Sequence, residues 1–323
     1  MINQVMSVEL AIGLSHVLQK DLTIHGTRFG GDTAVFQANT PHNDRRGVVR
    51  EDHRPTIFDL LDLKPYGSLS LIEPHLDRFS LDSIKVPDLI KHYWASGEQT
   101  ELEEQFADGR TRFTNTNKDI EASGCFGWYS SFFFNRTLEL DTALASVRFK
   151  PEYYEFAELV AKHLGDFNGA HLRLTDNAFG YSSEPDFAKG LEQLSDKQIV
   201  LSTDQPFYET VMRHKNKFLL IDELIINNFS KEFKELDFQD EVVFGLICNL
   251  VMHHSLDFIG SHASTFSGYI QRNMHQKGVL TGWKWFSDQT HVPTGPFTWN
   301  GLGKGPETLC WWREWPESKL RIG

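Results

Sequence analysis

From residue 151 onward the chain repeats one alternation, a short apolar strand and then an amphipathic helix, and that rhythm fixes the class of fold. Pro151 opens a helix over 152–164, where proline suits the first turn. Strands are expected over 168–174, 198–202, 217–221 and 256–259, with helices over 185–195, 206–214, 239–254 and 267–275 between and after them. Neighbouring strands joined through helices run parallel, because a parallel pair needs a crossover of about a dozen residues or more. The expected product is an α/β fold with a doubly wound parallel sheet. A chain of 323 residues exceeds one ordinary core, so two domains are expected, with the junction near 145–165.

In such sheets, ligands bind at the carboxyl ends of strands, and three of these ends are polar. In Gly169-Ala170-His171-Leu172-Arg173-Leu174-Thr175-Asp176 the apolar residues alternate with His171, Arg173 and Thr175. That period of two reads as a half-buried strand with His171 and Arg173 on one face. The strand at Gln198 to Leu201 ends in Ser202-Thr203-Asp204. The strand Leu256 to Ile259 runs through Gly260 into a hydroxyl-rich loop, Ser261-His262-Ala263-Ser264-Thr265-Phe266-Ser267, at a helix start. A helix N-terminus carries unpaired N–H donors and a positive dipole end, so Ser264, Thr265 and Ser267 mark an anion site or an ordinary N-cap. Arg173 offers a planar fork of donors matched to phosphate oxygens.

Other candidate groups read more simply as structure. Val242, Val243, Leu246, Ile247, Leu250 and Val251 recur at helical spacing, which is a core stripe, and Cys248 lies on the same apolar face. His253 and His254 are adjacent, diverge by about 100° on a helix and cannot share a metal as an i, i+4 pair does. Cys125, Cys248 and Cys310 show no zinc-type spacing, and no Asp-x-Asp motif follows a strand, so no metal site is expected. Asp59, Asp62, Glu101, Glu103 and Glu104 read as caps or solvated faces. Asp204 and Asp257 are candidates for binding ribose, guanine or backbone amides, or for capping. The aromatics Trp283, Trp285, Trp311, Trp312 and Trp315 fit either a sugar-stacking surface or a tail packed on the body.

The net charge of −12 argues against a nucleic-acid partner, which needs a basic face. No apolar run approaches the roughly 20 residues of a membrane span. Three widely spaced cysteines and the absence of a secretory-type leader at Met1-Ile2-Asn3-Gln4 point to a cytoplasmic protein.

Taken together and in order, His171-Leu172-Arg173, Ser202-Thr203-Asp204 and Asp257-Phe258-Ile259-Gly260 through Ser264-Thr265-Phe266-Ser267 resemble the GDP-fucose-dependent fucosyltransferase superfamily. This superfamily includes the protein O-fucosyltransferases and the bacterial nodulation-type enzymes. The resemblance is good over 165 to 275 and thinner elsewhere. It implies a GT-B fold of two facing Rossmann-like domains with parallel sheets: 1–155 on the acceptor side, 156–290 binding the GDP-sugar, and a tail at 291–323. It further implies an inverting, metal-independent transferase that moves fucose from GDP-fucose to a hydroxyl of a glycan or protein, with no cofactor. Arg173 is then the catalytic candidate, and Asn3, His171, Arg173, Asp204, Asp257, Ser264, Thr265, Phe266 and Ser267 are donor-binding candidates. Met1-Ile2-Asn3-Gln4 resembles the family's Gly-x-x-Asn-Gln loop, and the chain begins inside that motif. The Glu proposed as base in some relatives would precede the chain. Two alternatives stay open: a GT-B transferase using another nucleotide sugar, and a non-catalytic nucleotide-sugar-binding homologue.

Overall fold

A computed structural model describes Ile2, Val5 and Pro55, residues 22–25, 57–63, 70–72, 78–85, 119–123, 147–174, 184–194, 196–204, 209–236, 241–261 and 264–279, and Phe286. Asn3, Glu101, Glu103, Glu104, Cys125, Cys310, all five tryptophans named above and the tail at 291–323 lie outside these residues. The chain falls into two compact units. One comprises Met1–Thr40, Glu51–Lys150 and Pro293–Gly323, and the other Pro41–Arg50 and Pro151–Val292.

In the first unit, β1 (Leu22–His25), β2 (Ser70–Ile72), β3 (Arg78–Lys85) and β4 (Asp119–Ser123) form one sheet in the order β2-β1-β3-β4. β1 pairs with β2 in parallel and with β3 antiparallel, and β3 pairs with β4 antiparallel. This sheet is mixed, where a parallel one was expected. Only residues 73–77 separate β2 from β3, too few for the helical crossover that a parallel return requires. A short helix α1 (Ile57–Leu60) leads to a bridge between Leu61 and Phe149. Hydrogen bonds flank it, from Asp62 N to Arg148 O (3.0 Å) and from Lys150 N to Leu60 O (2.9 Å).

The second unit carries the alternation. Its elements are α2 (Pro151–Leu164), β5 (Phe167–Leu172), α3 (Glu184–Glu192), β6 (Gln198–Thr203), α4 (Glu209–Arg213) and β7 (Leu219–Leu220). Then follow α5 (Ile221–Asn228), α6 (Ser230–Lys234), α7 (Glu241–Met252), β8 (Phe258–Gly260) and α8 (Thr265–Gln276). The four strands are all parallel, in the order β7-β6-β5-β8. Counted from β5, this is 3-2-1-4, the order of a Rossmann-like sheet up to its fourth strand.

Helices cover both faces of this sheet. Ala170, Leu172, Leu201 and Ile259 pack on one side with Phe187 and Leu191 of α3, Val211 of α4 and Phe286. On the other side α7 comes close: a Cβ on Gly169 would lie 2.8 Å from the Phe258 ring and 3.0 Å from Met252 Sδ. α7 in turn packs against α2 and α8. The stripe from Val242 to Val251 is buried as its spacing predicted, and so is Cys248.

Three expectations change. β5 is buried along its whole length, not half-buried. It pairs with both β6 and β8, and its polar side chains Asn168 and His171 are buried. The strand expected over 217–221 shrinks to Leu219–Leu220, because Lys215–Lys217 form a 3₁₀ turn and Ile221 already begins α5. Ile221, Leu224 and Ile225 are buried at helical spacing. Finally, the helix expected at 267 begins two residues earlier, at Thr265.

Candidate functional site at the carboxyl ends of β5, β6 and β8

The strand order creates a particular place. The chain leaves β5 toward β6 on one side, while β8 returns on the other, so β5 and β8 are neighbours at the point where the order reverses. Connections diverge at such a switch point and leave a crevice at the strands' carboxyl ends. His171 sits there in register, between Ser202 of β6 and Gly260 of β8.

Hydrogen bonds tie the three exits together. Ser261, the residue after β8, donates its N–H to His171 O (2.9 Å) and to Ser267 Oγ (3.1 Å). Its own hydroxyl accepts the N–H of Arg173 at 2.8 Å. Leu174 N donates to Asp204 Oδ1 at 2.8 Å, which joins the exit of β5 to that of β6. His171 Nδ1 lies 2.7 Å from Ser267 Oγ in the first turn of α8, and its ring stacks on Phe266 with centroids 4.4 Å apart and planes inclined by 28°. Asn249 of α7 donates from Nδ2 to Phe266 O at 3.2 Å.

Glycine at 260 permits this closeness. A Cβ there would lie 2.6 Å from Ser267 Cβ and 2.7 Å from its Oγ, well inside the roughly 3.5 Å of ordinary carbon contact.

The helix start is built without its usual side-chain cap. Ser264 precedes α8, and its carbonyl accepts Gly268 N at 2.9 Å, the first bond of the helix. Its hydroxyl is buried and meets no hydrogen-bond partner among the described residues. Ser264 therefore does not satisfy the N–H groups of the first turn in the way an N-cap serine commonly does.

Among the residues gathered here, Arg173 is the cation. Burial, and then the neighbouring Arg173 cation, push the His171 pKa down from 6.5 to about 3. The imidazole is thus neutral near pH 7 and adds no positive charge there. Arg173 itself is partly buried just past the end of β5.

Of the residues singled out in the sequence, His171, Arg173, Asp204, Ser264, Phe266 and Ser267 come together at this edge. Thr265 is the first residue of α8. Asp257 lies at the opposite end of β8: its carbonyl accepts Gly169 N, and its Oδ1 accepts the N–H of Phe258 at 2.8 Å. Asn3 lies outside the described residues. Ser261 and Asn249 were not singled out by the sequence. Ser261 had one usable signal, a hydroxyl residue directly after a strand-ending glycine. Asn249 had none beyond being the polar residue within an apolar stripe. Among the described residues there is no group of three or more His, Cys, Asp or Glu side chains able to hold a metal, and no helix long and apolar enough to cross a membrane.

The fold and site together define an α/β protein with a four-stranded parallel sheet of Rossmann-like order and a cluster of hydrogen-bonded polar residues at its switch point. No protein-family model matches the chain, and no curated protein matches it significantly.

Proposed function

We propose that the chain is an inverting, metal-independent glycosyltransferase that moves a sugar from a nucleoside diphosphate carrier to a hydroxyl of a glycan or protein. The sequence resemblance makes GDP-fucose the donor. It also assigns donor binding to the second unit of a GT-B-type pair, with the acceptor side on the first. The observation that carries the reading is the bond from Arg173 N to Ser261 Oγ. It joins the one strand exit that bears a guanidinium to the loop that opens α8.

The chemistry asks for such a pairing. The acceptor oxygen attacks the anomeric carbon, the anomeric C–O bond breaks, and its electron pair leaves on the diphosphate. The acceptor proton passes to a base. Charge grows on the departing phosphate oxygen, where donors fixed in advance contribute a few kcal/mol each. Arg173 and the first-turn N–H groups of α8 would supply those donors. A single displacement of this kind inverts the anomeric centre.

Incubating the purified chain with GDP-fucose, with and without glycan and peptide acceptors, and following GDP release by chromatography tests the reading. Acceptor-dependent GDP release is expected. No release from GDP-fucose or any other nucleotide sugar, under conditions where the chain stays folded, would remove it.

A further inference from the structure

We propose that His171 is a positioning residue, which fixes the first turn of α8 against the exit of β5 through Nδ1 on Ser267 and its ring face on Phe266. The proposal deepens the glycosyltransferase reading, and it rests on that reading only for the ligand used in one arm of its test.

Three observations lead to it. First, His171 is 5 % exposed and Ser267 0 %, so the pair is an internal contact within the protein. It is also long-range: 96 residues separate the partners. Second, the Ser267 hydroxyl is held from two directions, by His171 Nδ1 at 2.7 Å and by Ser261 N at 3.1 Å. Ser261 in turn holds Arg173 N. A displacement of the His171 ring is therefore passed through Ser267 and Ser261 to the backbone of Arg173. Third, Phe266 is held between the His171 ring on its own ring and Asn249 on its carbonyl. The consecutive residues Phe266 and Ser267 are both seated by one imidazole.

The consequence is geometric. His171, together with Ser261 and Asn249, sets the separation of the first-turn N–H groups of α8 from Arg173. A shift of about 1 Å in groups of this kind can cost a hundredfold in rate. His171 would thus act through other residues without touching the substrate.

The side chains of Asn and Gln separate this role from ligand contact. Asn places its amide about where Nδ1 lies, and Gln about where Nε2 lies. The experiment compares His171→Asn, His171→Gln and His171→Leu, each also in a Ser267→Ala background. Amide exchange of Phe266 to Gly268 is read in the unliganded protein, and GDP affinity by calorimetry. His171→Asn is expected to keep first-turn exchange and GDP affinity within about threefold of the wild type, while Gln and Leu change each by about tenfold or more, the weight of one buried hydrogen bond. In the Ser267→Ala background the advantage of Asn over Gln should vanish. Rescue by Gln and not by Asn would overturn the proposal in favour of direct ligand contact through Nε2. Equal behaviour of Asn and Gln with intact Ser267 would reduce His171 to a space filler. If His171→Leu does not fold, the Asn and Gln pair decides. Wild-type protein that binds no GDP would sink the glycosyltransferase reading, and first-turn exchange would still decide the role of His171.

Discussion

Gly260→Ala tests the closeness on which the site depends. The new Cβ would sit 2.6 Å from Ser267 Cβ, 2.7 Å from Ser267 Oγ and 3.1 Å from Phe258 Cε1. Against an ordinary carbon contact of about 3.5 Å, the first of these is short by about 1 Å. No rotamer of Ser267 relieves it, because its Cβ is fixed to the backbone of α8. The start of α8 must retreat from β8, and overpacking of this kind costs about 1–3 kcal/mol. The same retreat stretches the 2.7 Å contact from His171 Nδ1 to Ser267 Oγ, which adds about 1 kcal/mol. The expected loss is about 2–4 kcal/mol, read from equilibrium denaturation with the slope unchanged. Ser267→Gly removes both close atoms, so Gly260→Ala should cost less than about 1 kcal/mol in that background, and the difference is the coupling between the two positions. A single Gly260→Ala variant within about 0.5 kcal/mol of the wild type would show that α8 does not approach β8 this closely.

Further outcomes follow from the same geometry. Arg173→Ala should lose most turnover while the melting temperature holds, and Arg173→Lys should restore it poorly, by about tenfold or more below the wild type, because Lys lacks the bidentate fork. Unchanged turnover per folded molecule would make Arg173 a brace for the strand. Turnover should persist in EDTA, and a loss restored by magnesium or manganese would refute the metal-independent mechanism. The fold also refuses His171 a proton that the unfolded chain accepts. Stability should therefore be full above about pH 6.5 and decline as the pH falls from there toward about 3. His253, held down by burial and nearby cations, adds to the same decline. Denaturation midpoints of wild type and His171→Asn between these limits check it, with a shallower fall expected for the variant. Equal slopes would place the imidazole in water.

Much of the second unit is legible in the sequence, because its signals are local. The alternating residues of β5, the run into Gly260 and the stripe of α7 each report their own element, and Pro151 marks the start of α2. What the sequence withholds is non-local. Periodicity put His171 and Arg173 on one face, but nothing at residue 171 names Ser267 as its partner. Nor does it show that α7 and α8 would bury that face. Leu219-Leu220-Ile221 is too short an apolar run to choose between strand and helix, and the burial of Ile221, Leu224 and Ile225 at helical spacing settles it. In the first unit the mixed sheet has no local signature, because strand direction there follows from the short β2–β3 connection and not from any residue pattern. At the site, Arg173 and the helix start were legible as residue types suited to an anion. The Ser261 bridge between them depends on three strand exits meeting, and no single segment records that.

The most direct test of the central claim is amide exchange mapped with and without saturating GDP. A diphosphate bound at the switch point predicts added protection at Arg173 and Leu174, at Gly260 and Ser261, and through Ser264 to Gly268, with a melting temperature raised by ligand. Exchange and melting unchanged by millimolar GDP, or protection confined to segments away from these strand exits, would contradict it.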